Sequence, residues 1–152
     1  MENAESPLVS VVITSYNYER FLPESVQSAL GQTYRNIEII VVDDGSTDGS
    51  ASVVKRLARE IATLRLIQQE NGGVSRARNV GIKHAGSEFI AFLDSDDEWF
   101  QDFLEEIGHL INKFPNAGIY STAYTAVGED TSKFSTRFKR LSPTSMHFLI
   151  RN

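Results

Sequence analysis

Leu8-Val9-Ser10-Val11-Val12-Ile13-Thr14, followed at once by Ser15-Tyr16-Asn17, is the stretch on which the fold turns. It is nearly continuous in Val and Ile and does not alternate strictly between apolar and polar residues. That pattern predicts a strand covered on both faces, as in a parallel sheet wrapped by helices. Three further runs repeat it: Ile37 to Val42, Leu64 to Ile67, and Phe89-Ile90-Ala91-Phe92-Leu93. Helical spacing lies between them. Leu22, Val26, Ala29 and Leu30 share a face, with Pro23 admissible in a first turn and Gly31 as a stop. Val54, Leu57, Ala58 and Ile61 repeat the spacing after N-cap candidates in Ser46-Thr47-Asp48. Ala77, Gly81 and Ala85 give a helix with a small-residue face suited to close approach to a sheet. Phe103, Leu104, Ile107, Leu110, Ile111 and Phe114 form the strongest apolar stripe, closed by Pro115. Strand–helix units in succession predict an α/β domain with a mostly parallel sheet, helices on its faces and right-handed crossovers. Gly118 to Val127 predicts a fifth strand, and Ser142-Pro143-Thr144-Ser145 the start of a helix in which the chain stops.

The 152 residues suit a single domain. With 41% hydrophobic and 23% charged residues, wholesale disorder is excluded. The absence of cysteine excludes a disulfide scaffold, a thiolate metal site and a cysteine nucleophile. A net charge of −5 argues against a nucleic-acid partner, which selects for a basic face. The basic, aromatic run Lys133 to Arg140 reads as a solvated face. The apolar runs are far too short to span a bilayer, and Met1 to Ser6 is acidic and polar, unlike a signal peptide. A cytoplasmic location is expected, with membrane association only through segments outside this chain.

In an open parallel sheet, ligands bind beyond the carboxyl ends of the strands. The residues there are Thr14-Ser15-Tyr16-Asn17, Asp43-Asp44-Gly45-Ser46, Asn71-Gly72-Gly73 and Asp94-Ser95-Asp96-Asp97. Asp94, Asp96, Asp97, Glu98 and Asp102 crowd together with no Lys or Arg between Asp94 and Glu106. Such carboxylates repel unless something positive sits among them, and Mg²⁺ or Mn²⁺ bound by one or two carboxylates plus phosphate oxygens is the natural partner. Asp96 is the candidate ligand, while Asp97 and Glu98 read as caps of the following helix. Asp44-x-Ser46-x-Asp48-Gly49 imitates a calcium loop, but its twelfth position is Lys55 rather than Glu, and that reading fails. Asp43 and Asp48 then serve as turn and cap, or Asp44 accepts hydrogen bonds from a base or ribose. Backbone amides in Asn71 to Gly81, with Arg76 or Arg78, suit a phosphate. The glycines of Gly81 to Ser87 have P-loop spacing but lack its lysine and precede a strand, so a P-loop is rejected. The three histidines show no metal-ligand spacing.

Val9 to Asn17, Gln32-Thr33-Tyr34, Glu38 to Asp48, Asn71 to Gly81 and Phe92 to Asp97 together resemble, in order and separation, the family-2 glycosyltransferases of the GT-A fold. The similarity runs from about Leu8 to Ala126. It implies a nucleotide-sugar donor, usually a UDP-sugar, and transfer of the sugar with inversion to a glycan, lipid-linked or other acceptor. By the same resemblance Thr14 and Tyr16 contact the base, Asp44 recognises uracil, and Arg78, with Arg76 as competitor, meets the nucleotide or diphosphate. Asp94-Ser95-Asp96 matches the family's D-x-D, with Asp94 near the ribose and Asp96 on the metal. The family's general base lies on an acceptor-binding half beyond the D-x-D strand, and Glu129-Asp130, the one late acidic pair, reads as a turn. The chain is therefore expected to be a single GT-A domain truncated on its acceptor side, with its base elsewhere. Two rival functions fit less well. A nucleotidyltransferase wants a glycine-rich triphosphate loop where Tyr16-Asn17-Tyr18-Glu19 stands, and a receiver-like module wants an acidic pair where Thr14-Ser15 stands.

Overall fold

A computed structural model describes residues 8–122 and 148–151. The opening stretch forms β1 (Val9–Ser15), in which every residue is buried. Its burial follows from its place in the sheet. It pairs in parallel with β2 (Ile37–Asp43) on one side and with β4 (Phe89–Asp94) on the other. β3 (Leu64–Gln68) lies outside β2, also parallel. Beyond β4 comes β6 (Phe148–Arg151), antiparallel to it, and then β5 (Ile119–Ser121), so the order is β3-β2-β1-β4-β6-β5. The α/β architecture with a mostly parallel sheet is the one expected.

Alternate residues of the central strands feed two cores. Val9, Val11 and Ile13 pack with Leu22, Val26 and Ala29 of α1 (Leu22–Leu30), Val54 of α2 (Ser50–Leu57) and Leu104 and Ile107 of α4 (Phe103–Lys113). On the other face Val12, Ile40, Val42, Ile90 and Phe92 meet Ala77 of α3 (Val74–His84). The small-residue face of α3 has the expected consequence. A methyl at Gly81 would run into Cγ1 of Val12, which is fully buried and stiff at χ1.

Four expectations need correction. β3 is an edge strand, with Arg65 and Gln68 exposed and Leu66 and Ile67 half-buried, because no strand covers its outer side. α2 ends at Leu57, so Ala58 and Ile61 pack on the core from the turn that follows. Phe114 lies past the end of α4 and is 53% exposed, so the apolar stripe ends with the half-buried Leu110 and Ile111. Near the carboxyl end the chain is strand rather than helix at Phe148–Arg151. The unpaired edge of β4 decides this, since Ala91 and Ile90 take Leu149 and Ile150 as partners and Leu149 becomes fully buried. Only Ile119–Ser121 of the expected fifth strand is seen, and residues 123–127 and the helix start at 142–145 lie outside the described residues.

At the amino end of the sheet, Ser10 is polar and fully buried. Its hydroxyl donates to Glu38 at 2.5 Å, and Glu38 also accepts from the Gly86 amide at 2.7 Å and from Arg65 at 2.6 Å. Burial pushes the Glu38 carboxyl up, but these donors outweigh it and hold the group below the usual glutamate range. A carboxyl so lowered contributes stability that is present above its unfolded pKa and lost as pH falls through the folded one. Glu38→Gln should therefore cost about 1–2 kcal/mol at neutral pH, with the difference vanishing in acid below the glutamate range, as read by urea denaturation at several pH values. Gly81→Ala should cost about 1–3 kcal/mol by overpacking, and the second change Val12→Ala should recover part of that loss.

Candidate functional site

Parallel pairing in register aligns the strand ends. Thr14 stands opposite both Val42 and Asp94, and Ser15 stands opposite Asp43. The loops that follow β1, β2 and β4 therefore open on one edge, as the topology demands. With the first turns of α3 they enclose a cleft of about 300 Å³. Its walls are Thr14, Ser15, Tyr16 and Tyr18, then Asp44, then Val74, Ala77 and Arg78, then Asp94, Ser95 and Asp96. Of the residues singled out from the sequence, Thr14, Tyr16, Asp44, Arg78, Asp94 and Asp96 reach this cleft, whereas Arg76, Gly72, Gly73, Asp97 and Glu98 do not line it.

Asp44 is 4% exposed and tightly bound by its own chain. Its Oδ1 accepts from Gln69 Nε2 at 2.5 Å and from the Gly72 amide at 2.9 Å, and its Oδ2 accepts from the Gly73 amide at 2.8 Å. The glycine amides expected to meet a phosphate are thus already used by a carboxylate. Gly45 permits this closeness, since it sits at φ +78° and a Cβ there would lie 2.8 Å from the Asn71 amide nitrogen. Asp43 is a turn residue, as one reading had it, with Oδ1 accepting from the Ser46 amide at 3.2 Å. Asp48 accepts from the Ser50 amide at 2.9 Å at the start of α2.

Of the two arginines, Arg78 is the one that lines the cleft. Its Nη2 lies 2.8 Å from Asp94 Oδ1 in a partly buried ion pair, and its guanidinium stands over the Phe92 ring at 5.9 Å. Its Nε is buried and has no partner among the described residues. Arg76 points instead across Gly72 and does not line the cleft. The ion pair also corrects the charge argument made from the acidic cluster. A cation does sit among those carboxylates, but it comes from α3, sixteen residues upstream of Asp94.

Asp96 is the exposed carboxylate of the cleft. The phenol of Tyr18 faces it, and the Asp96 charge, followed by burial and by a hydrogen bond to the same carboxylate, pushes the Tyr18 hydroxyl up. Among the described residues no three His, Asp or Glu side chains converge on a point that would hold a metal unaided. The donor set still fits Mg²⁺ or Mn²⁺, which take one or two carboxylates and complete their shell with water and phosphate oxygens. Asp97 and Glu98 do not cap α4, which begins at Phe103; the Asp97 amide instead closes a turn on the Asp94 carbonyl at 3.0 Å.

Sequence reasoning missed Tyr18 and Gln32. Tyr18 carried a weak signal, lying two residues after Tyr16 in the same loop. Gln32 is fully buried; its amide nitrogen donates to the Ser28 and Phe100 carbonyls at 3.0 and 2.8 Å, and its oxygen accepts from the Leu104 amide at 3.0 Å. It caps α4 from the end of α1 and so fixes the segment between β4 and α4.

Residues 10–151 match the model of Glycosyl transferase family 2. The chain belongs to that family. Among its relatives, the uncharacterized glycosyltransferase EpsJ of Bacillus subtilis is 45% identical over 66% of this chain and 30% of its own length. Glycosyltransferase GlyA of Streptococcus pneumoniae is 40% identical over 65% of this chain and 14% of its own. The chain thus spans a third or less of either relative. The fold is that of the GT-A glycosyltransferases. TarS 1-349 of S. aureus, in complex with UDP-GlcNAc, superposes with a TM-score of 0.66 at 31% identity over 73% of this chain and 32% of its own. The mannosyltransferase PcManGT of Pyrobaculum calidifontis, in complex with GDP-Man and Mn²⁺, gives 0.70 at 29% identity over 79% and 36%. Among the described residues no helix is long and apolar enough to cross a membrane.

Removing the Asp44 carboxylate takes away the partner of three donors at the edge of a partly buried place. Asp44→Ala should destabilise the protein by about 1–3 kcal/mol in denaturant titrations and should raise amide exchange selectively at Gly72 and Gly73.

Proposed function

We propose that this chain forms the donor-binding side of a glycosyltransferase that uses a UDP-sugar. The observation that carries the reading is the bonding of Asp44. A carboxylate offers about four lone-pair sites. Both on Oδ1 are taken, and the Gly73 amide takes one on Oδ2, which leaves a single acceptor site at the cleft. Uracil presents one imide N–H between two carbonyls and needs one such acceptor. Guanine presents adjacent N–H donors that call for both oxygens of a carboxylate. The distinction matters because neighbours of this fold bind either base, as the UDP-GlcNAc and GDP-Man complexes record.

The remaining roles follow from position. The Tyr16 ring, 45% exposed, offers a surface to the base, and the buried Thr14 lines the same cleft. Asp94 meets the ribose while its ion pair orients Arg78 toward the diphosphate, giving the guanidinium Nε a partner it lacks among the described residues. Asp96 holds Mg²⁺ or Mn²⁺ together with the diphosphate. When bound, such an ion neutralises charge that builds on the leaving group. The sugar, a hexose in this reading, is taken with inversion by an acceptor hydroxyl that attacks C1 opposite the diphosphate. In this reading no described residue is given the part of the base that removes its proton or of the contacts to the glycan, lipid-linked or other acceptor.

Calorimetric titration of UDP and GDP, with and without Mn²⁺, tests this on the chain and on Asp96→Ala. UDP should bind at least about tenfold tighter than GDP, about 1.4 kcal/mol, and the Mn²⁺ enhancement should be lost in the variant. A folded chain that binds neither nucleotide, or prefers GDP, overturns the reading.

A further inference from the structure

The loop after β1, which carries Tyr16 and Tyr18, is fastened to the β2–α2 turn by a reciprocal set of hydrogen bonds. Consecutive amides of Asn17, Tyr18 and Glu19 donate to Ser46 Oγ at 2.9 Å, Ser50 Oγ at 3.1 Å and Asp48 Oδ2 at 3.1 Å. In return the Asn17 side-chain oxygen accepts from the Thr47 amide at 2.8 Å, the Thr47 hydroxyl at 3.3 Å and the Asp48 amide at 3.4 Å. Glu19 likewise accepts from the Gly49 amide at 3.0 Å. Asn17 is the one non-glycine described residue at positive φ, 59°, a conformation asparagine tolerates better than most. It does not line the cleft, although the tyrosines on either side of it do. Closer to the sheet, the Asp44 amide donates to the Ser15 carbonyl at 2.8 Å; beyond that the two loops lie past the sheet ladder and side chains join them.

We propose that Asn17 is a positioning residue of the donor site: its side-chain oxygen clasps the β2–α2 turn and thereby fixes Tyr16 and Tyr18 at the cleft before the nucleotide arrives. Pre-organisation of this kind raises affinity by lowering the ordering cost at binding. The consequence for donor affinity rests on the UDP-sugar reading; the clasp itself does not.

Four substitutions, alone and combined, separate the parts. Asn17→Gly keeps the left-handed backbone and loses the acceptor, Asn17→Asp keeps an acceptor oxygen, and each is combined with Tyr16→Ala and Tyr18→Ala. Asn17→Gly should weaken UDP binding about tenfold or more, Asn17→Asp should recover most of that, and the loss should shrink in the tyrosine backgrounds. Hydrogen exchange should rise at Thr47 and Asp48 in Asn17→Gly while β1 and β2 stay protected. A loss of affinity undiminished in both tyrosine backgrounds, or no loss in Asn17→Gly, overturns the proposal. If the unaltered chain binds no UDP, the donor reading falls and exchange decides alone: unchanged protection at Thr47 and Asp48 overturns the clasp, and raised exchange upholds it.

Discussion

Everything at the site depends on the parallel pairing of β1 with both of its neighbours. A strand flanked on two sides and covered on two faces cannot slip register without turning its apolar set around. Because β2 and β4 run in the same direction as β1, their last residues fall level with Thr14 and Ser15. Three polar loops must then leave the sheet at one edge, and a cleft between them is the geometric result. The helices decide its walls. α3 closes one side because Gly81 lets it lie against Val12, and that brings Arg78 within reach of Asp94.

Within the cleft, strand-end carboxylates are handled in three different ways. Asp44 is held by three main-chain and amide donors that leave it one acceptor site, Asp94 is paired with an arginine, and Asp96 is exposed and, among the described residues, faces a tyrosine hydroxyl. A buried anion is tolerable when most of its lone pairs are met, and three N–H donors do so for Asp44. An exposed one needs no such help. In the proposed reading, the gradient from fixed to open runs from the base end of the cleft to the end of the diphosphate and cation. A ligand that brings its own charge can be met by groups left adaptable, whereas reading a base edge requires acceptors already in place.

The fold was largely legible because its signals are one-dimensional. Continuous Val and Ile runs mark strands covered on both faces, and the helical stripes fall between them at the right lengths. What escaped was set by partners distant in sequence. β3 reads as a buried strand, and only its place at the sheet edge exposes Arg65. Leu149 reads as part of a helix, and only the open side of β4 makes it strand. That Thr14, Tyr16, Asp44, Arg78, Asp94 and Asp96 would line one cleft was likewise legible, since five stand at or just past a strand end and Arg78 in the first half of a helix beside them. Their bonding was not. No local rule announces that Gly72 and Gly73 face Asp44, twenty-eight and twenty-nine residues away, rather than a phosphate. Nor does one announce that Arg78 supplies the positive charge missing from the acidic stretch.

Gln32 shows how far such support reaches. It lies outside the cleft, yet it ties the end of α1 to the Phe100 carbonyl and to the first amides of α4. Ser25 and Ser28 of α1 add bonds to the Asp94 carbonyl at 3.2 Å and the Trp99 amide at 3.2 Å. α1 therefore holds the segment after β4 from behind, while Asn17 and Glu19 hold the segment after β1 from the side. Neither segment has a sheet ladder to satisfy its main chain, so side chains do it; around the buried Gln32 and Ser25 such groups are costly to leave unpaired, whereas around the exposed Asn17 the bonds chiefly fix the loop's path. The polar residues Asn17, Gln32, Ser25 and Ser28 are thus as much a consequence of the strand ends as the carboxylates are. A cleft built from loops keeps one shape only when the neighbouring elements supply the hydrogen bonds that the sheet no longer can.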